Sequence, residues 1–203
     1  MIDLYMWGTP NGLRASIALA ETGLAHRITK VDLTKGEQKT PEFLKLNPAG
    51  QIPVMVDRDG PGGEPLTLAQ SGAIIVYCCE RAAKYIPTDA MRRAMAAQWF
   101  LHAASDTGPT SGTVFQLEVA VPEKSPPIID FFLNRLIGYF RNVDRHLAGS
   151  DFLADEISFA DLMLYHNYAL RQPMLDAAGG MDNLKRWGKR MAARPGVHKG
   201  MNP

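Results

Sequence analysis

The chain has 203 residues, 46 % hydrophobic and 21 % charged, with 22 Lys and Arg against 21 Asp and Glu for a formal net charge of +1. This near-average composition excludes a disordered or fibrous chain, and the balanced charge removes the one-sided field that would hold a nucleic-acid backbone or an anionic membrane. No apolar run approaches the roughly 18 residues of a membrane span, and Met1-Ile2-Asp3-Leu4-Tyr5 lacks the basic region and apolar core of a signal peptide. The 2 cysteines, Cys78 and Cys79, are sequence neighbours that cannot form an ordinary structural bridge, so the expectation is a soluble, cytoplasmic protein.

Met1–Trp7 is apolar and aromatic and ends in the turn cluster Gly8-Thr9-Pro10-Asn11-Gly12, which predicts a strand. Leu13, Ser16, Ile17 and Ala20 then recur at helical spacing, with Gly23 as a stop, and Arg27–Leu33 follows as a second strand. Strand, crossover helix, strand implies two parallel strands with a right-handed connection. Pro41–Leu46 is a short helix closed by Asn47-Pro48-Ala49-Gly50; Pro53–Asp57 is a strand, Arg58–Pro65 a Gly/Pro-rich loop, and Leu66-Thr67-Leu68 a returning edge strand. From Ser71 a stripe of Ile74, Tyr77 and Cys78 predicts a helix. The order is βαβαββα, a small mixed sheet with helices on its faces.

Beyond about residue 88 the strand signals vanish. Met91, Ala94, Met95 and Gln98 begin one helix, and Phe132, Leu136, Tyr139, Val143 and Leu147 mark a long amphipathic one. Ser158-Phe159-Ala160-Asp161 resembles a capping box ahead of Leu162, Tyr165 and Ala169. Leu184, Trp187 and Met191 make a further helix, stopped by Arg194-Pro195-Gly196. The reading is an α/β domain over 1–85 and an all-α domain over 88–203, with Pro87 and Asp89 marking the linker.

Most familiar reaction motifs are missing. The 5 histidines fall in no metal-ligand spacing, so no metal is expected. Gly60-Pro61-Gly62-Gly63 lacks the Lys-Ser/Thr of a phosphate loop, and Ser71 lacks the first glycine of a nucleophile elbow. Three loops remain. Thr9-Pro10-Asn11-Gly12 joins a strand end to a helix start, where α/β sheets bind ligands, although Thr and Asn are also ordinary caps. Neither residue titrates near neutral pH, so a role there is hydrogen-bond donation. Gly50-Gln51-Ile52-Pro53 opens a strand on a proline, and Gln70-Ser71 opens a helix whose free N–H groups fit a carboxylate or are simply capped.

Taken together, an Ile-Pro before the third strand, Gln-Ser before the helix that follows, Ser158-x-x-Asp161 and the terminal Arg194–Gly200 run resemble the cytosolic glutathione transferases over essentially the whole chain. Gly8–Gly12, Lys35-Gly36-Glu37-Gln38 and Pro41-Glu42-Phe43-Leu44 are most similar to the bacterial Nu class, whose members reduce disulfides with glutathione. The resemblance implies a thioredoxin-like first domain, an all-helical second domain carrying the cleft for the second substrate, and a homodimer.

The resemblance also implies roles. Ile52, across a cis bond to Pro53, pairs its backbone with the cysteinyl amide of glutathione. Gln70 and Ser71 hold the γ-glutamyl carboxylate, Gln38 and Gln51 approach the glycyl end, and Thr9 and Asn11 face the sulfur. Glutathione is then the co-substrate, its thiolate activated without a protein cysteine, and the partner is a small disulfide or an electrophile. The class also uses an arginine of the long second-domain helix; the aligned position is Phe131, with Arg135 one turn on as the substitute glutathione contact. Alternatives are conjugation or peroxide reduction on an unknown electrophile, or a non-catalytic binding module of the same fold. Tyr5, Trp99 and His102 read as packing residues, Cys78 as core, and Cys79 as pointing elsewhere and open to modification.

Overall fold

The computed structural model describes residues Met1–Pro203. Its sheet comprises β1 (Ile2–Met6), β2 (His26–Lys30), β3 (Val54–Asp57) and β4 (Leu66–Ala69), in the order β2-β1-β3-β4. The β1–β2 pair is parallel, with Leu4 opposite Ile28, and the β1–β3 and β3–β4 pairs are antiparallel, with Met55 opposite Leu4 and Leu68. Between β1 and β2 runs α1 (Pro10–Thr22); α2 (Pro41–Leu46) precedes β3, and α3 (Ser71–Arg81) follows β4. The βαβαββα order is the predicted one.

Boundaries shift for local reasons. The second strand stops at Lys30 rather than Leu33 because Asp32 accepts from Thr34 N (2.9 Å) and turns the chain into short 3-10 segments over Leu33–Lys35 and Glu37–Lys39. Helix α1 begins on the Thr9 cap with Pro10 in its first turn and ends on Gly23 in the left-handed conformation. The expected one-sided stripe is too narrow: every residue from Arg14 to Leu19 is buried, because α1 is covered by β1, by α3 and by a further helix from the end of the chain.

The second compact unit, Ile86–Met191, is all helical. Asp89 caps α4 (Ala90–Leu101), a π turn over His102–Thr107 leads into α5 (Gly108–Phe115), and a second π turn spans Gln116–Ala120. Gly108-Pro109, a pair that ordinarily breaks a helix, does not leave the helical path here. The wider π turn precedes it, and Pro109 falls in the first turn of α5, where no N–H is needed. Helix α6 (Pro126–His146) buries Leu136, Phe140 and Val143. Helix α7 (Phe159–Ala178) opens on the Ser158–Asp161 capping box, and α8 (Asp182–Ala192) buries Leu184, Trp187 and Met191.

The residues after α8 require a correction. Arg194-Pro195-Gly196 stops α8 but also starts α9 (Pro195–Met201), and Ala192–Pro203 packs with the first unit rather than with the helical domain to which 88–203 was assigned. A Cβ at Gly200 would collide with the backbone of Ile17, so the missing side chain lets α9 lie directly on α1. Buried Glu21 of α1 anchors it, accepting from Arg194 Nε (3.0 Å), Val197 N (3.0 Å) and the Tyr85 hydroxyl (2.8 Å).

Candidate functional site

The first unit carries a cleft of ≈ 330 Å³ where its loops converge, lined by Thr9, Asn11, Leu33, Gln38, Asn47, Gly50, Gln51, Ile52, Pro53, Gln70 and Ser71. No lining side chain bears a formal charge. What electrostatic bias the cleft has comes from the N-terminal ends of α1 and α3, whose partial positive charge favours anions.

The end of β1 delivers Thr9 and Asn11. Thr9 Oγ accepts from Gly12 N (3.4 Å), so it is the ordinary cap of α1 and still keeps a hydroxyl proton to donate. Asn11 lies exposed at the cleft, and its Oδ1 accepts from Arg14 Nη1 (3.0 Å). Arg14 itself is buried, and that burial pushes its guanidinium down to about 10.

The loop before β3 supplies the second wall. The Ile52-Pro53 bond is cis, and the β3 ladder starts only at Val54, leaving Ile52 outside the sheet register. Asn47 shapes this loop, accepting from Ala49 N (3.1 Å) and donating Nδ2 to Gln51 O (2.7 Å). Gly50 has φ 59°, and a side chain there would meet Lys39 Nζ and the Gln38 carbonyl, so the loop lies tight against the turn carrying Gln38. The Gln38 Oε1 is buried without a hydrogen-bond partner in the protein, an acceptor left over at the cleft.

The start of α3 closes the site. Gln70 adopts φ 73° and ψ 118°, a conformation that costs a non-glycine residue on the order of 1–3 kcal/mol. It forms no side-chain cap, so the first N–H groups of α3 have no side-chain acceptor, and Ser71 sits buried as the first helical residue.

The structure thus brings Thr9, Asn11, Gln38, Gln51, Ile52, Pro53, Gln70 and Ser71 around one cleft. Arg135 is not among its lining residues; it sits exposed on α6 of the other unit and donates Nε to the Tyr139 hydroxyl (2.9 Å). Sequence reasoning missed Leu33, Asn47, Gly50 and the contact from Arg14. Asn47 and Gly50 were visible as a turn, and their signal was the pairing of an Asx-type residue with a glycine three positions on. Cys79 requires a correction. Both cysteines are buried on α3, and burial drives the Cys78 thiol up to about 12 and the Cys79 thiol higher still, so Cys79 is not an accessible thiol. Tyr5 packs against the Val31, Phe43 and Val54 cluster, and Trp99 lies tilted over His146 (centroids 4.4 Å apart) and edge-to-face with His102 (5.3 Å).

Comparison with known proteins assigns both halves of the chain to one family. The family model described as the glutathione S-transferase N-terminal domain matches residues 9–81, and the one described as the C-terminal domain matches residues 119–199. The chain is 35 % identical to disulfide-bond oxidoreductase YfcG of Escherichia coli K12, over 96 % of this chain and 92 % of that one. It superposes with a TM-score of 0.92 on a glutathione transferase from Pseudomonas putida with one glutathione disulfide bound per subunit, at 30 % identity over 98 % of this chain and 90 % of that one. A glutathione transferase from Burkholderia graminis with two glutathione molecules bound per subunit is similar at TM-score 0.90 and 30 % identity, over 99 % and 87 % of the two chains. A sheet ordered β2-β1-β3-β4 with its cleft at the α1 and α3 starts, followed by an all-helical unit and matched over both halves, makes the chain a member of the glutathione S-transferase family.

Proposed function

We propose that the chain binds glutathione in this cleft and uses its thiolate to reduce small disulfides. The observation that carries the reading is the convergence of two helix starts in one uncharged cleft, α3 without a side-chain cap and α1 with its capping Thr9 and its Asn11 both lining the cleft. At α3, Ser71 and the uncapped N–H groups hold the γ-glutamyl carboxylate, with Gln70 beside it. The leftover Gln38 acceptor and Gln51 meet the glycyl end, and the backbone of Ile52 meets the cysteinyl amide. At α1, Thr9 and Asn11 donate to the sulfur.

The nucleophile is then the thiol of glutathione, since neither protein cysteine lines the cleft and both are buried. A free thiol of pKa about 8.5 is only a few per cent ionised at neutral pH. Lowering that value by two units takes about 2.7 kcal/mol of differential stabilisation, within reach of two charge-assisted hydrogen bonds and a helix N-terminus. The thiolate attacks one sulfur of the disulfide, forming a mixed disulfide and releasing the other half as a thiolate. A second glutathione thiolate then attacks the mixed disulfide, yielding glutathione disulfide and the second reduced thiol. Likeness to disulfide-bond oxidoreductase YfcG, and to a relative crystallised with glutathione disulfide, supports this reaction over conjugation.

The test is glutathione-dependent disulfide reduction coupled to glutathione reductase and NADPH, with conjugation of a chlorinated arene alongside. Asn11→Ala is expected to cut kcat by roughly tenfold to a hundredfold while glutathione affinity stays within about twofold, as for loss of one donor to a developing or resident anion. Equal losses in both would remove Asn11 from the sulfur. Conjugation without reduction would replace the proposed reaction with transfer. A homodimer is part of the same proposal, checked by sedimentation.

A further inference from the structure

Arginine is almost never fully buried unless it is paired, and Arg14, 4 % exposed on α1, has a partner one turn back in Asn11. The contact between them has a direction. A guanidinium has donors and no acceptor, so Arg14 Nη1 takes only the carbonyl end of the Asn11 amide (3.0 Å). An asparagine free to turn over would present either its N–H donors or its oxygen lone pairs to a ligand, and lone pairs facing a thiolate repel it.

We propose that Arg14 is a positioning residue that holds the Asn11 carbonyl and so commits the Asn11 N–H donors to the sulfur of the co-substrate. The proposal rests on the reading of the cleft given above. A cation on the carbonyl also polarises the amide and strengthens its N–H groups as donors. Although burial lowers the Arg14 guanidinium to about 10, it stays protonated at neutral pH, so the constraint persists throughout the working range. Arg14 lines no part of the cleft, so its effect reaches the ligand through Asn11.

The readout is the pKa of enzyme-bound glutathione, followed by the ultraviolet absorbance of its thiolate during a pH titration of the intact protein, together with glutathione affinity. Arg14→Gln, whose amide can donate or accept and so imposes no direction, is expected to raise that pKa by about one unit, roughly tenfold in thiolate below it, with affinity measured at a pH below that pKa within about twofold. Arg14→Lys, still a donor-only cation, is expected to restore most of the shift. Combining Arg14→Gln with Asn11→Ala is expected to do no more than Asn11→Ala alone, the signature of one residue acting through another. Asn11→Asp keeps an acceptor for Arg14 but removes the N–H donors, and is expected to raise the pKa even if Arg14→Gln does not fold. An unchanged pKa in folded Arg14→Gln or in Asn11→Asp, or additive losses in the double variant, would overturn the proposal while leaving the cleft reading intact. Absence of any bound thiolate in the unaltered protein would overturn the cleft reading, and this proposal with it.

Discussion

Two helix starts in this molecule show opposite uses of the same chemistry. At α7, Ser158 and Asp161 close a capping box: Ser158 N donates to Asp161 Oδ2 (2.9 Å), Leu153 N to Asp161 Oδ1 (3.1 Å), and the indole of Trp187 to the same oxygen (2.8 Å), all of it buried. At α3, Gln70 enters the helix at φ 73° with no side-chain cap, and Ser71 faces a cleft. The first arrangement spends its polar groups on one another and fixes α8 against α7. The second keeps them in reserve at the cost of backbone strain, which is what a ligand site requires. The saturated carboxylate at α7 serves stability, whereas the α3 start is left open to the cleft.

Substitutions can break that contrast at either end. The largest effect is expected from Asp161→Ala, which strips the acceptor from the Trp187 indole and the Leu153 and Ser158 N–H groups. Orphaned buried donors cost about 1–3 kcal/mol each, so urea unfolding is expected to show a loss of at least ~3 kcal/mol. A loss below ~1 kcal/mol would mean the network is replaceable by water. Next, Ser71→Ala is expected to weaken glutathione binding by about 1–3 kcal/mol in calorimetry while stability moves by less than ~0.5 kcal/mol. The reverse outcome would make the α3 start a second structural cap and erase the distinction. The smallest effect sharpens the contrast. Gln70→Gly relieves the positive φ and is expected to raise stability by about 1 kcal/mol in the same unfolding experiment, while glutathione affinity falls. If stability instead drops, the Gln70 conformation is supported by packing and is not stored strain.

Much of the fold was legible because its signals are local. Thr9 and Pro10 start α1, Gly23 ends it, and the Ser158-x-x-Asp161 spacing specifies its own box. The cleft loops were legible only jointly: Thr9 alone reads as a cap, and it is one, while also lining the site. What escaped depends on contacts remote in sequence or on backbone angles. Nothing near Gln70 announces a positive φ in a non-glycine residue. Gly108-Pro109 reads as a break until the π turn ahead of it is known. The burial of Cys79, like that of Arg14, follows from coverage on several faces, which a single helical stripe cannot express.

The seating of α9 on α1 has a consequence for synthesis. The polypeptide leaves the ribosome from its N-terminus, and domains made first commonly fold first. Here the surface of Ile17 and Glu21 waits for Gly200, Val197 and Arg194, which emerge only after the whole helical unit Ile86–Met191 has been made. Until then α1, the helix that presents Thr9 and Asn11, keeps one face bare and its Glu21 carboxylate without its arginine. The scaffold of the cleft is begun before the helical unit is translated and completed only after it.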